Sequence, residues 1–514
     1  MNHFNLDLIK FIQENSPVSL DIVLSKYQKT LSTIKRAIKE INDYLEPENK
    51  IHVINAKIIT PITYRDYIKF VKSISLKRYI STPDERIRLF ILQATLFEAV
   101  NRKEFYSRLN LSYSTLKNDI ILLKEKTPRH IEFMLKNRNS WAISGDEISI
   151  RINFCKNIFN ILELDQNNNL VPHKANSPID NLISEQFLNI LRQNNLSTEA
   201  IYQTINSKIE LSYNSKKYLI IYLSISLYRI AQHHVIQHIK EISIKHINYA
   251  NILQFDNTEN QFINILLSAL NHKTERQSII DPQLYKLVTE FHKEIAQFIC
   301  INQSDEAILI PEIYRVIYSS ILQSEFTIDF DDKKLDKVDH LYGELYHNVV
   351  HFIKTINDHY QATLTKNTIS TIVLILKKFE IRMHSFNQKR KKVYIVTNSS
   401  DRKVGYFKAL LLATFDIEIM DCININEIYI LNKNKFDFII TFTNKISNYL
   451  KEEGIDCIKI NFELSPEDIA MLIKKGFPNF KSKINKDDFI IQTRGMNETE
   501  LHHYLTEKHG NIFI

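Results

Sequence analysis

The sequence predicts a mainly α, multidomain protein, and three observations carry that reading. At 514 residues the chain is too long for a single hydrophobic core. Glycine is scarce, 7 in all, whereas the phosphate-cradling turns of nucleotide-binding parallel-sheet enzymes need positive φ and close backbone approach. The N-terminal third also repeats itself at an offset of about 82 residues, with apolar side chains at helical spacing in both copies.

The copies read PVSLDIVLSKYQKTLSTIKRAIKEI and AVNRKEFYSRLNLSYSTLKNDIILL. Val18 matches Val100, Val23 matches Phe105, and Tyr27 matches Leu109. Ser32, Thr33, Ile34, Lys35 and Ile38 match Ser114, Thr115, Leu116, Lys117 and Ile120. Each copy parses as three helices. The first carries Leu8, Ile9 and Ile12, or Phe90, Ile91 and Ala94; the second follows a cap at Ser19 or Asn101; the third starts near Ser32 or Ser114. A stretch of β character follows each copy, HVINAKIITPI and a segment ending SWAISGDEISIR, and these are expected to form wings. The pattern predicts two winged helix-turn-helix domains, 1–65 and 66–165.

A recognition helix needs small and hydrogen-bonding residues at its N-terminal end, where base edges and phosphates are within reach. The first copy offers Thr30, Ser32, Thr33, Lys35, Arg36 and Lys39; the second offers Ser112, Tyr113, Ser114, Thr115, Lys117 and Asn118. Ile34, Ile38, Leu116 and Ile120 are expected to face inward. Lys and Arg neutralise phosphates, and Arg36 and Asn118 suit purine edges. The charge distribution agrees. Residues 1–151 hold about 25 Lys and Arg against about 17 Asp and Glu, roughly +8, which leaves about −1 for the rest of a chain of net +7 and points to double-stranded DNA as partner.

Between about Ile179 and Glu380 the sequence reads as successive long amphipathic helices, after a polar linker LDQNNNLVPHKAN. Past HSFNQKRKK the pattern changes: KKVYIVTN, DIEIMDC, FDFIITF and IDCIKINF read as strands, and VGYFKALLLATF and SPEDIAMLIKKGF as helices. That alternation predicts a small α/β domain with a largely parallel sheet over 391–480. The 481–514 tail shows little pattern before a helical MNETELHHYLTEK.

The two helix-turn-helix units, the GDEISIR segment, the helical middle and the small α/β domain together resemble bacterial transcription regulators with phosphotransferase-regulation domains (PRDs). That group includes mannitol-operon activators and Mga/AtxA-like virulence regulators. Gly145, Glu147 and Arg151 nearly hold the family's G-x-E-x-x-R-like ending of the DNA-binding region. The resemblance implies two all-helical PRD-like domains, 178–275 and 276–385, and one EIIB-like domain. It also implies regulation of transcription, more as activator than repressor, with the PRD and EIIB-like parts sensing a signal and mediating dimerisation. YLIIYLSISLYRIAQHH resembles the first histidine-bearing PRD helix with Tyr222 at the histidine position, and TENQFINILLSAL keeps Glu259 but has Leu266 for the second histidine. In the α/β domain Thr397 stands where an EIIB enzyme carries its nucleophilic cysteine.

These departures imply a non-enzymatic regulator with no confident phosphoacceptor. The rival readings are a phosphoryl-transfer component of a phosphotransferase system and an RNA-binding antiterminator. His233, His234, His238, His340, His347 and His351 lie in the helical middle, and His347 and His351 share a helix face at i, i+4. They read as structural or surface histidines, and neither metal nor cofactor is expected. The four cysteines form no C-x-x-C pair, the N-terminus lacks an apolar signal segment, and no apolar run reaches the roughly 20 residues that span a bilayer. The expectation is a cytoplasmic homodimer with no membrane association, open to contact with phosphotransferase proteins.

Overall fold

The structure is a computed structural model that describes residues 1–97, 99–127, 130–137, 139–206, 209–249, 256–273, 281–295, 303–328, 335, 338–382, 391–433 and 436–477. The helix expected within MNETELHHYLTEK lies outside the described residues. The chain is mainly helical, with small sheets at both ends.

The N-terminal unit comprises α1 (His3–Asn15), β1 (Val18–Ser19), α2 (Leu20–Tyr27), α3 (Leu31–Asn42) and a hairpin of β2 (His52–Ile54) and β3 (Lys57–Ile59). Its sheet order is β1-β3-β2. Asn55 and Ala56 both have positive φ, which gives the two-residue hairpin turn the twist its strands need. The expected boundary at residue 65 falls within the first turn of α4 (Tyr64–Ser73), whose buried Tyr64, Tyr67, Phe70 and Val71 join this unit's core beside α1.

The second unit repeats the plan: α5 (Pro83–Leu96), β4 (Val100–Asn101), α6 (Arg102–Arg108), α7 (Tyr113–Lys126), β5 (Ile131–Asn137) and β6 (Ser140–Gly145), in sheet order β4-β6-β5. The expected β character of DEISIR is corrected. The strand ends at Gly145, and Asp146 caps α8 (Glu147–Ile158) by accepting from the Ser149 N–H. Gly145 sits at φ +130°, where a Cβ would meet the His130 carbonyl at 2.2 Å, so only glycine turns the chain there. The polar stretch read as a linker supplies the turn and second strand of an antiparallel hairpin, β7 (Leu162–Leu164) with β8 (Leu170–Pro172).

The helical middle runs α9 (Pro178–Gln193), α10 (Thr198–Asn206), α11 (Tyr213–Ala231), α12 (Asn257–Ala269), α13 (Pro282–Ile295), α14 (Gln303–Glu325), α15 (Val338–Leu341), α16 (Gly343–Tyr360) and α17 (Lys366–Arg382). One interruption was not expected. Residues 233–249 are irregular and tied down by side chains: Ile236 N–H donates to Glu259, Ile247 N–H to Ser268 and Tyr249 N–H to Asn264. The last domain holds β9 (Lys391–Val396), α18 (Asp401–Thr414), β10 (Ile417–Ile423), β11 (Phe438–Thr441), α19 (Asn444–Glu452), β12 (Ile458–Lys459) and α20 (Pro466–Lys474). Its sheet is parallel throughout, in order β10-β9-β11-β12. The domain docks back on the first unit: the Glu452 carboxylate accepts from the Tyr64 and Arg65 N–H groups, which places an anion on the N-terminus of α4.

Candidate nucleic-acid interface

The third helix of each winged unit is held by apolar residues at matching positions. In α3 these are Ile34, Ala37, Ile38 and Ile41, all buried. In α7 Leu116 and Leu123 are buried and Ile120 packs against the same core. The inward assignment of Ile34, Ile38, Leu116 and Ile120 therefore agrees with the packing, and it fixes which residues face out.

The heads of the two helices share one hydrogen-bond pattern. Thr30 is the N-cap of α3, and its hydroxyl lies 3.0 Å from Ser32 Oγ and 2.9 Å from Thr33 Oγ1 while accepting from the Thr33 N–H. Ser112 caps α7 with Ser114 Oγ at 2.8 Å, Thr115 Oγ1 at 3.0 Å and the Thr115 N–H as donor. Three clustered hydroxyls at a helix N-terminus, beside amides that lack intrahelical acceptors, suit an anionic phosphate. Thr30, Ser32, Ser112 and Ser114 are exposed; Thr33 and Thr115 are half-buried.

Beyond that head, Lys35, Arg36 and Lys39 are exposed along α3, as are Lys117 and Asn118 on α7. The side chain of Tyr113 lies outside the described residues. Sequence reading passed over Ile121, the counterpart of Lys39, which is 58% exposed. The repeat offset alone would have flagged it, because an apolar side chain replaces a lysine at an outward position. The wings are exposed as well: Val53, Ile54 and Ile59 in the first, Met134 and Leu135 in the second.

Below the second unit lies a buried charge network. Arg151, fully buried on α8, donates from Nε to Glu147 at 2.8 Å and from Nη1 and Nη2 to Glu259 at 2.7 and 2.9 Å. A further bond from Nη2 reaches the His234 carbonyl. Arg229 on α11 forks onto the same Glu147 at 2.6 and 2.7 Å, and its Nη1 reaches the Thr95 carbonyl of α5. Burial disfavours the charge on Arg151, but Tyr222, Glu259 and Glu147 more than offset this and hold the guanidinium above its ordinary pKa. Two cations and two anions thus join α5 and α8 of the second unit to α11 and α12. Sequence reading singled out Glu147, Arg151 and Glu259 but missed Arg229 and the meeting of all four.

Tyr222 and Leu266 are fully buried, and Tyr222 lies close enough to Arg151 to act on its charge. His233, His234, His238, His340, His347 and His351 are all exposed. Among the described residues no group of three or more His, Cys, Asp or Glu side chains is arranged to hold a metal ion. Thr397 follows β9, buried, with its N–H donating to the Ile423 carbonyl and its hydroxyl accepting from the Ser399 N–H. Burial pushes the Cys422 thiol up to about 12, away from the thiolate a nucleophile requires. No helix among the described residues is long and apolar enough to cross a membrane. The chain matches no protein-family model and no curated protein.

Proposed function

We propose that the protein is a DNA-binding transcription regulator that grips duplex DNA with two winged helix-turn-helix units. One observation carries the reading: both units have the same strand order and the same capped hydroxyl triad at the head of an outward-facing helix. Both lie in the basic third of the chain. Clustered hydroxyls and exposed Lys35, Arg36, Lys39 and Lys117 suit phosphates, and Asn118 suits adenine in the major groove.

By resemblance the helical middle comprises two PRD-like domains and the parallel-sheet domain is EIIB-like, and the sensory role passes to them. Buried Tyr222, Leu266 and Thr397 offer no phosphoacceptor chemistry at the family's positions, which favours regulation by contact or ligand over a phosphorelay. The reading includes a homodimer, since two-fold symmetry doubles the contacts made to paired half-sites. The test is selection of random duplex DNA by the full chain, followed by titration of the enriched duplex and a hairpin RNA at several salt concentrations. A recovered motif with steep salt dependence and a dimer by light scattering is expected. Preference for the hairpin RNA would move the protein to the antiterminators.

A further inference from the structure

A cavity of about 870 Å³ lies between the second winged unit and the helical middle. Its floor is one face of each of two helices: Ile87, Arg88 and Ile91 recur along α5, and Ile148, Ile152 and Lys156 along α8. The facing wall comes from His238 and Lys240 of the irregular segment 233–249 and from Phe326 at the end of α14. Near the start of that segment, Arg151 donates to the His234 carbonyl and Glu259 accepts from the Ile236 N–H. Further on, Glu325 accepts from Lys240 at 2.7 Å and from the Ser243 hydroxyl at 2.9 Å. The protein's own bonds thus build the wall, and the volume is that of a pre-formed site for a small molecule.

The lining is amphipathic. Ile87, Ile91, Ile148, Ile152 and Phe326 give it an apolar wall. Its acidic side chains are engaged. Glu325 holds Lys240 and Ser243, and Asp146 caps α8, accepting from the Ser149 N–H at 2.8 Å and hydroxyl at 2.6 Å. Asp84 stands in the first turn of α5, where the helix N-terminus favours a carboxylate. Donors, by contrast, are in surplus. Arg88 Nη2 donates to Asp180, but Arg88 Nε is buried with no hydrogen-bond partner among the described residues. Asn153 Nδ2, on the same lining, is buried and unpartnered in the same way. Lys156, in the last turn of α8, is exposed and joins no ion pair among the described residues.

We propose that this cavity binds a fatty carboxylate, its aliphatic chain along the isoleucine wall and its head group paired with Lys156. A carboxylate only accepts hydrogen bonds, which matches a lining whose spare groups are donors. The chain removes from water an apolar surface that no polar ligand covers, and the volume exceeds what a short acid fills. A ligand here touches the second winged unit and the helical middle at once, and so strengthens the junction between them. The inference does not rest on the DNA-binding reading, because its readout is ligand affinity.

The test is calorimetric titration of the full chain with dodecanoate below its micelle concentration. Acetate and dodecyltrimethylammonium serve as controls that keep only the carboxylate or only the chain. One saturable site for dodecanoate, with neither control matching it, is expected. Amide exchange in the presence of dodecanoate should slow in 84–91, 148–157 and 238–240, the stretches that line the cavity. Lys156→Glu should weaken binding about tenfold at unchanged circular dichroism, because a repulsion replaces an attraction near the surface. Lys156→Arg, which keeps the charge, should bind as the wild type does. Absence of saturable binding, equal binding of either control, or protection confined to other segments overturns the proposal. So does a folded Lys156→Glu with unchanged affinity, or a Lys156→Arg that loses as much as Lys156→Glu.

Discussion

The two winged units share a plan and differ in what they put at equivalent positions. Inside, Ala37 of α3 packs against apolar neighbours. Its counterpart Asp119 in α7 is a buried carboxylate that accepts from Arg86 Nε at 2.6 Å, Arg86 Nη2 at 2.8 Å and the Tyr106 hydroxyl at 2.9 Å. Outside, Arg36 and Lys39 of the first correspond to Asn118 and Ile121 of the second. The first helix thus presents mostly positive charge, whereas the second presents an amide and an apolar side chain suited to adenine and to a thymine methyl group. On the proposed DNA-binding reading, the shared frame would serve two tasks: the first unit would supply phosphate attraction, and the second sequence discrimination from a helix locked by a buried ion pair.

The largest effect that would sharpen this contrast is on stability. Asp119→Ala leaves Arg86 buried without its partner and should cost about 3–5 kcal/mol. Because the chain has several domains, amide exchange along α7 is a better measure than a global melt. The loss should be confined to the second unit. Uniform loss across both units would break the claim that they are locked separately.

Next comes discrimination. Asn118→Ala should cost about 1–3 kcal/mol on the preferred duplex and little on unrelated DNA. Arg36→Ala should lose less discrimination than Asn118→Ala, which a competition titration against random duplex reads directly. Smaller still, Lys35→Ala should weaken binding to all sequences alike and lower the salt slope by about one unit.

The smallest effect concerns the tether between the units. His3 on α1 lies 3.3 Å from Glu85 on α5. The hydrogen bond to Glu85 raises the His3 pKa despite partial burial. Burial opposes the charge on Glu85, but bonds from His3, Tyr79 and Thr82 outweigh it and hold the carboxyl down at about 2. With the folded His3 pKa above its ordinary value, the tether's contribution is complete below about pH 6.5 and fades as pH rises through the folded value. Since His3 is 54% exposed, the change between pH 6 and 8 should stay under about 1 kcal/mol. A urea midpoint that falls slightly over that range in the wild type, and stays level in His3→Ala, is the expected result.

Much of the frame was legible because it is local. The repeat placed Ser19 and Asn101 ahead of the second helices, and both are N-caps, although only Asn101 accepts a side-chain bond, from the Glu104 N–H; the caps at Thr30 and Ser112 were not read as caps. The parallel-sheet domain was legible from short β-rich runs alternating with helical ones. DEISIR was misread because Ile148, Ile150 and Ile152 alternate like strand residues, yet all three are buried in a helix enclosed on most sides. The Arg151–Glu147–Arg229–Glu259 network was not legible, since Arg151 and Glu259 are 108 positions apart and Glu147 and Arg229 are 82 apart. No local pattern encodes such pairings. The same holds for Glu452 at the head of α4, a contact across 388 positions.

The claim that the second unit is the discriminating reader is tested most directly by one variant, Ser114→Ala with Lys117→Ala and Asn118→Ala, titrated against the duplex that the wild type selects. All three positions are exposed on α7, so circular dichroism should match the wild type. The account predicts that preference for the selected duplex over random DNA collapses while weak, salt-sensitive binding through the first unit remains. Full, sequence-selective binding by the folded variant would contradict it and leave α3 as the only reader.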